Sequence, residues 1–146
     1  GHRGYYLDFL TLCEFIDKKD HQYSCTPSLS HMFAMDFQLD RIMKEGIENR
    51  FIRHIEMAEY MINWASHFFK LHVMPGFESM TVTTIENTRN INVAELNKEL
   101  LKENMVISNG YNELKNKTFR IGHMGDLTID DLIVLTEAME RILKLN

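Results

Sequence analysis

Apolar side chains recur along this chain with two different periods, and the change of period divides it. Leu29, Met32, Met35, Leu39 and Ile42 are spaced by three and four, which predicts one apolar helical stripe. Pro27 suits the first helical position, where its missing N–H has no intrahelical partner, and Gly46 interrupts the pattern. A second stripe at Ile47, Phe51, Ile55, Ala58, Ile62, Ala65 and Phe69 predicts a long amphipathic helix. Unbroken, it would be on the order of 35 Å long, and Met74-Pro75-Gly76 ends it. Over residues 79–86 the period falls to two. Met80, Val82 and Thr84 point one way, Thr81, Thr83 and Ile85 the other, and most are β-branched, so a strand is expected. Asn92 with Glu95 resembles a capping box ahead of a helix carrying Val93, Leu96, Leu100 and Leu101. Residues 105–108 read as a short strand ending at the Asn109-Gly110 turn, and residues 117–124 as another. Thr128 with Asp131 caps a final helix with Leu132, Leu135, Met139, Ile142 and Leu143 inward.

From residue 79 the order is therefore strand, helix, two strands, helix. This predicts an α+β fold, a small sheet covered on one face by helices and preceded by a long helical segment. Residues 5–16 are apolar enough for one more helix, but no period ties them to the rest. No internal repeat or low-complexity segment occurs, and the Asn-rich patches at 87–92 and 109–116 read as loops.

Composition narrows the class of protein without naming a function. The chain has 146 residues, enough for one core that buries roughly 70% of the unfolded surface. Apolar residues at 45% and charged residues at 25% are a globular mixture, unlike a disordered tail. Sixteen Lys plus Arg against 21 Asp plus Glu leave a formal charge of −5, the wrong balance for a general nucleic-acid binder. No apolar run approaches the roughly 20 residues needed to cross a bilayer, and no signal peptide opens the chain. Cys13 and Cys25 are too few for a disulfide scaffold and fit a reducing compartment, so a cytoplasmic location is expected. Gly1 and His2 read as a tag scar and take no part in the fold argument.

Most familiar chemistries are missing. The seven histidines are scattered without His-x-x-x-His or Cys-x-x-Cys spacing, and no metal site is expected. There is no Walker or dinucleotide glycine pattern and no nucleophile elbow. Residues 53–56, Arg-His-Ile-Glu, read as solvated charges flanking a core stripe. The ten methionines read as core filling. Arg120 stands out because it interrupts an apolar strand between Phe119 and Ile121. Either it makes an internal salt bridge, or it faces water from an edge strand, or its planar fork clamps the carboxylate of a ligand. Tyr23, Ser24 and Thr26 place three hydroxyls just before a helix. Such a turn can hold phosphate or simply cap the helix.

Taken in order, these pieces resemble the C-terminal part of class V pyridoxal-phosphate aminotransferases, the group of the serine–pyruvate and alanine–glyoxylate enzymes. The resemblance is carried by residues 23–27 (YSCTP), 41–48 (RIMKEGIE), Arg53-His54, 81–84 (TVTT) and 119–125 (FRIGHMG), the last being the most specific. It implies that residues 1–27 end a large cofactor domain and residues 28–146 form a connecting helix and a C-terminal small domain. It also implies that Arg120 holds the α-carboxylate of a small amino acid or 2-oxo acid. By the same resemblance Tyr23 and Thr26 reach the phosphate of pyridoxal 5'-phosphate in the neighbouring subunit of a homodimer. The family's Schiff-base lysine, and the aspartate that pairs with the pyridine nitrogen, lie upstream of everything matched here. No catalytic residue is therefore assigned, and the chain by itself is expected to be inert. Two other readings compete: a stand-alone α+β module that binds a small carboxylate and regulates a partner, and a dimerisation piece that uses the stripe of residues 47–69.

Overall fold

Helix formation begins where local capping permits it, and the structure, a computed structural model, shows where that is. It describes residues 4, 8–18, 20 and 22–145. The tag-scar reading of Gly1 and His2, and the start of the first expected helix at residues 5–7, lie outside the described residues. Between Glu45 and Gly46 the chain divides into two units.

The first unit contains α1 (Phe9–Ile16) and α2 (Leu29–Glu45). The Asp8 carboxylate accepts from the Leu10 amide and caps α1. Helix α2 starts two residues later than the Pro27 argument placed it. Its first turn runs from Ser28, whose carbonyl accepts from Met32, so Ser28 takes the flanking position and Pro27 lies outside. The apolar stripe of α2 is not a core stripe within this unit, since Met32, Met35 and Leu39 are all exposed.

The second unit has its own core. Gly46, at φ +87°, leads into α3 (Ile47–Phe68). Next come β1 (Lys70–Leu71), β2 (Val82–Glu86), α4 (Val93–Leu100), β3 (Ser108–Asn109), β4 (Thr118–Gly122) and α5 (Ile129–Leu143). The strands form one antiparallel sheet in the order β1-β2-β4-β3. Period two assigns its faces: Thr83, Ile85, Phe119 and Ile121 are buried against the helices, while Val82, Thr84 and Arg120 on the opposite face are half-buried. The helices contribute Met57, Met61 and Trp64 from α3, Leu96 and Leu100 from α4, and Leu132, Leu135 and Met139 from α5. This is the α+β layer expected from the sequence, helices on one face of a small sheet.

Three details differ from the expectation. The buried stripe of α3 is Met57, Ala58, Met61, Trp64 and Ala65, whereas Ile47, Phe51 and Ile55 in its first half are exposed. Strand β1, two residues paired with Glu86 and Ile85, has no periodicity long enough to be read. Strand β3 begins at Ser108, because the Met105 amide bonds back to the Leu100 carbonyl, and Asn97 takes Ile107 through both its amide and its carbonyl. Both expected caps form: Asn92 accepts from Ala94 and Glu95, and Thr128 and Asp131 make a complete capping box. Asp131 is held below the ordinary aspartate range by the Thr128 backbone and side-chain hydrogen bonds.

Gly110 ties the loop between β3 and β4 to the sheet. Its amide donates to the Thr118 carbonyl at 2.9 Å, and an added Cβ would collide with the Leu114 carbonyl and Thr118 Oγ1. Because backbone on one side cannot yield, Gly110→Ala is expected to lower unfolding free energy by about 2–3 kcal/mol in urea titrations.

Candidate functional site

The open face of the sheet is built around Arg120. Phe119 and Ile121 are drawn into the core, and the alternation of a strand sends Arg120 to the other side. Strand β4 lies between β2 and β3, so Arg120 is not on an edge. Its cross-strand neighbours are Thr84 on β2 and Ser108 on β3. Among the described residues no carboxylate pairs with it, and its buried Nε has no hydrogen-bond partner. The guanidinium instead sits over the Tyr111 ring, with Cζ 4.3 Å from the centroid. Neither an internal salt bridge nor an edge position accounts for Arg120. What remains is a half-buried cation with free donors, which can take a planar anion bidentately.

The segment after Arg120 is anchored to α3. Arg50 reaches the Asp126 carboxylate at 3.4 Å. Arg53, one turn on, donates to the Gly125 carbonyl at 3.1 Å and to the Leu127 carbonyl. Residues 53–56 are thus not simply solvated charges. Arg53 is half-buried and ties down the loop between β4 and α5, while His54 Nδ1 donates to the Arg50 carbonyl at 2.7 Å. The i, i+3 spacing of Arg50 and Arg53 puts both on one side of the helix, but nothing in that spacing says that backbone carbonyls wait there.

His123, next along the strand, is fully buried. Its Nε2 shares a hydrogen bond of 2.9 Å with Thr83 Oγ1, its amide donates to the Thr81 carbonyl, and its Nδ1 has no partner among the described residues. Burial, aided by the charge of nearby His54, holds His123 below the ordinary histidine range.

Tyr23 and Thr26 belong to the first unit. Both side chains are exposed, and neither hydroxyl is hydrogen-bonded among the described residues. Capping of α2 does not use them, because Ser28 holds the flanking position. Every described lysine is exposed. Sequence reasoning missed Tyr111. Its only signal is an aromatic residue directly after the Asn109-Gly110 turn that leads back to the arginine strand.

No family model matches the chain. It is 32% identical over 143 residues to an uncharacterized aminotransferase of Methanocaldococcus jannaschii, covering 97% of this chain and 37% of that protein. It is 29% identical over 123 residues to the serine–glyoxylate aminotransferase of Arabidopsis thaliana, covering 82% of this chain and 30% of that protein. Among solved structures it is similar to an alanine–glyoxylate aminotransferase from Nostoc sp., with 26% identity and a TM-score of 0.77 over 96% of this chain and 38% of that one. The chain spans about a third of the length of these relatives. Its relatives are aminotransferases, including serine–glyoxylate and alanine–glyoxylate enzymes of class V, and it corresponds to the C-terminal part of that family.

The buried histidine makes stability depend on pH with a definite sign. As pH falls below about 6.5, His123 in the unfolded chain takes up a proton that the folded chain refuses until lower pH. Its contribution is therefore whole above that pH and is lost on acidification, with a slope of at most about 1.4 kcal/mol per pH unit. Urea midpoints measured at pH 7, 6 and 5 should fall less steeply in His123→Gln than in the parent.

Proposed function

We propose that the chain is the C-terminal domain of a pyridoxal-phosphate-dependent aminotransferase that moves an amino group between a small amino acid and a 2-oxo acid. Residues 1–27 are assigned to the end of the cofactor domain, and residues 28–146 to the connecting helix and small domain. The observation that carries the reading is Arg120, a half-buried cation on a central strand with no acidic partner among the described residues and with donors left for a ligand.

The residues present suit two peripheral parts of such a site. Tyr23 and Thr26 carry hydroxyls without partners among the described residues, the donors a phosphate monoester requires, and they are assigned to the cofactor phosphate of the neighbouring subunit in a homodimer. Arg120 is assigned to the substrate carboxylate. When bound, pyridoxal phosphate supplies a conjugated electron sink for the bonds at the substrate's α-carbon. Arg120 contributes orientation: two parallel N–H···O bonds fix the carboxylate plane, and with it the direction in which the Cα–H bond points. The lysine that anchors the cofactor and moves the α-proton is assigned to a part of the enzyme outside this chain, which alone would be inactive.

Arg120→Lys in the intact enzyme keeps the charge and loses the fork. A lost charge-assisted hydrogen bond is worth about 1.5–3 kcal/mol, so KM for both amino and oxo acid should rise by roughly one to two orders of magnitude in steady-state assays. An unchanged KM for both would overturn the assignment.

A further inference from the structure

We propose that Tyr111 is a positioning residue for the carboxylate-binding arginine, its ring holding the guanidinium in place of the acidic partner that Arg120 lacks among the described residues. The proposal rests on the assignment of Arg120 made above and adds how that side chain is kept ready. A half-buried guanidinium is ordinarily steadied by Asp or Glu, but a protein carboxylate would occupy the same N–H donors that a ligand's carboxylate needs. An aromatic ring avoids the competition. It attracts the cation through the face of the guanidinium, whereas a carboxylate is bound in its plane, along the N–H edges. Arg120 stands over such a ring, with Cζ 4.3 Å from the Tyr111 centroid and Nε without a hydrogen-bond partner among the described residues.

The backbone keeps the ring in place. Gly110, beside Tyr111, donates to the Thr118 carbonyl at 2.9 Å, two residues before Arg120. The Tyr111 carbonyl accepts from Leu114 at 2.8 Å, and the Leu114 carbonyl accepts from Lys117 at 3.0 Å. The loop is thus pinned to the strand that carries the arginine. Tyr111 is 71% exposed and contributes nothing to the core, so its role is not that of a packing residue. Because the ring is outside the core, removing it leaves no cavity, and its effect on a ligand is separable from its effect on folding.

The test is calorimetric titration of glyoxylate and of L-alanine into the intact protein. The variants compared are Tyr111→Phe, Tyr111→Leu, Tyr111→Ala and Arg120→Gln, each with its thermal midpoint. The expected result is that Phe binds within about twofold of the parent. Leu and Ala should each weaken binding by about three- to tenfold, the span of an exposed to partly desolvated cation–π contact, at unchanged midpoints. If Phe weakens binding as much as Ala, the hydroxyl and not the ring is responsible, and the proposal falls. If Arg120→Gln loses binding while Leu and Ala bind like the parent, Tyr111 has no positioning role although Arg120 keeps its own. If Arg120→Gln itself binds like the parent, the carboxylate reading fails and takes this proposal with it.

Discussion

Strand β4 imposes the constraint from which the rest of the second unit follows. Its side chains alternate, and Phe119 and Ile121 are almost completely buried among the helices. Burying two such residues contributes on the order of 3–6 kcal/mol, far more than a one-residue slip of register could return. The slip would also drive the Arg120 guanidinium into an apolar core. The register with β2 is therefore firmly set, with Ile85 opposite Phe119 and Thr84 opposite Arg120. Core packing on one face decides where the cation stands on the other.

A second consequence concerns the loop that leaves the strand. Residues 125–127 have no regular structure to satisfy their carbonyls, and two of those carbonyls accept from Arg53 while Asp126 meets Arg50. Helix α3 thus serves the core through Met57, Met61 and Trp64 and the loop through its arginines, from different parts of its length. His123 joins the same region from beneath, its ring bonded to Thr83 on the neighbouring strand. The site-bearing strand is braced at its far end by a side-chain network and at its near end by the loop of residues 110–117.

The chain spans about a third of its aminotransferase relatives, and its candidate groups match that share. Among the described residues it carries unpartnered hydroxyls in one unit and a half-buried cation without an acidic partner in the other, with every described lysine at the surface. The apolar positions Met32, Met35 and Leu39 of α2 and Ile47, Phe51 and Ile55 of α3 are exposed.

Much of the fold was legible in the sequence because it depends on local chemistry. Pattern alone identified α3, α5, β2 and β4, the caps at Asn92 and Thr128, and the face assignment of β2, since period and capping are properties of neighbours along the chain. The motif at residues 119–125 pointed to Arg120. Where pattern misled, the deciding contact was distant. The stripe from Ile47 to Phe69 predicts burial along the whole of α3, but burial follows only where α5 and the sheet cover the helix. Strand β1 exists because Glu86 and Ile85 lie beside it, and Arg53 looked solvated until the loop 70 residues away came to meet it. Sequence by itself determined that an arginine would interrupt an apolar strand between Phe119 and Ile121. Only tertiary structure decided that the strand is central, that it faces away from the core at Arg120, that no acid among the described residues reaches the guanidinium and that Tyr111 does, because these depend on which side chains folding brings within a few ångströms.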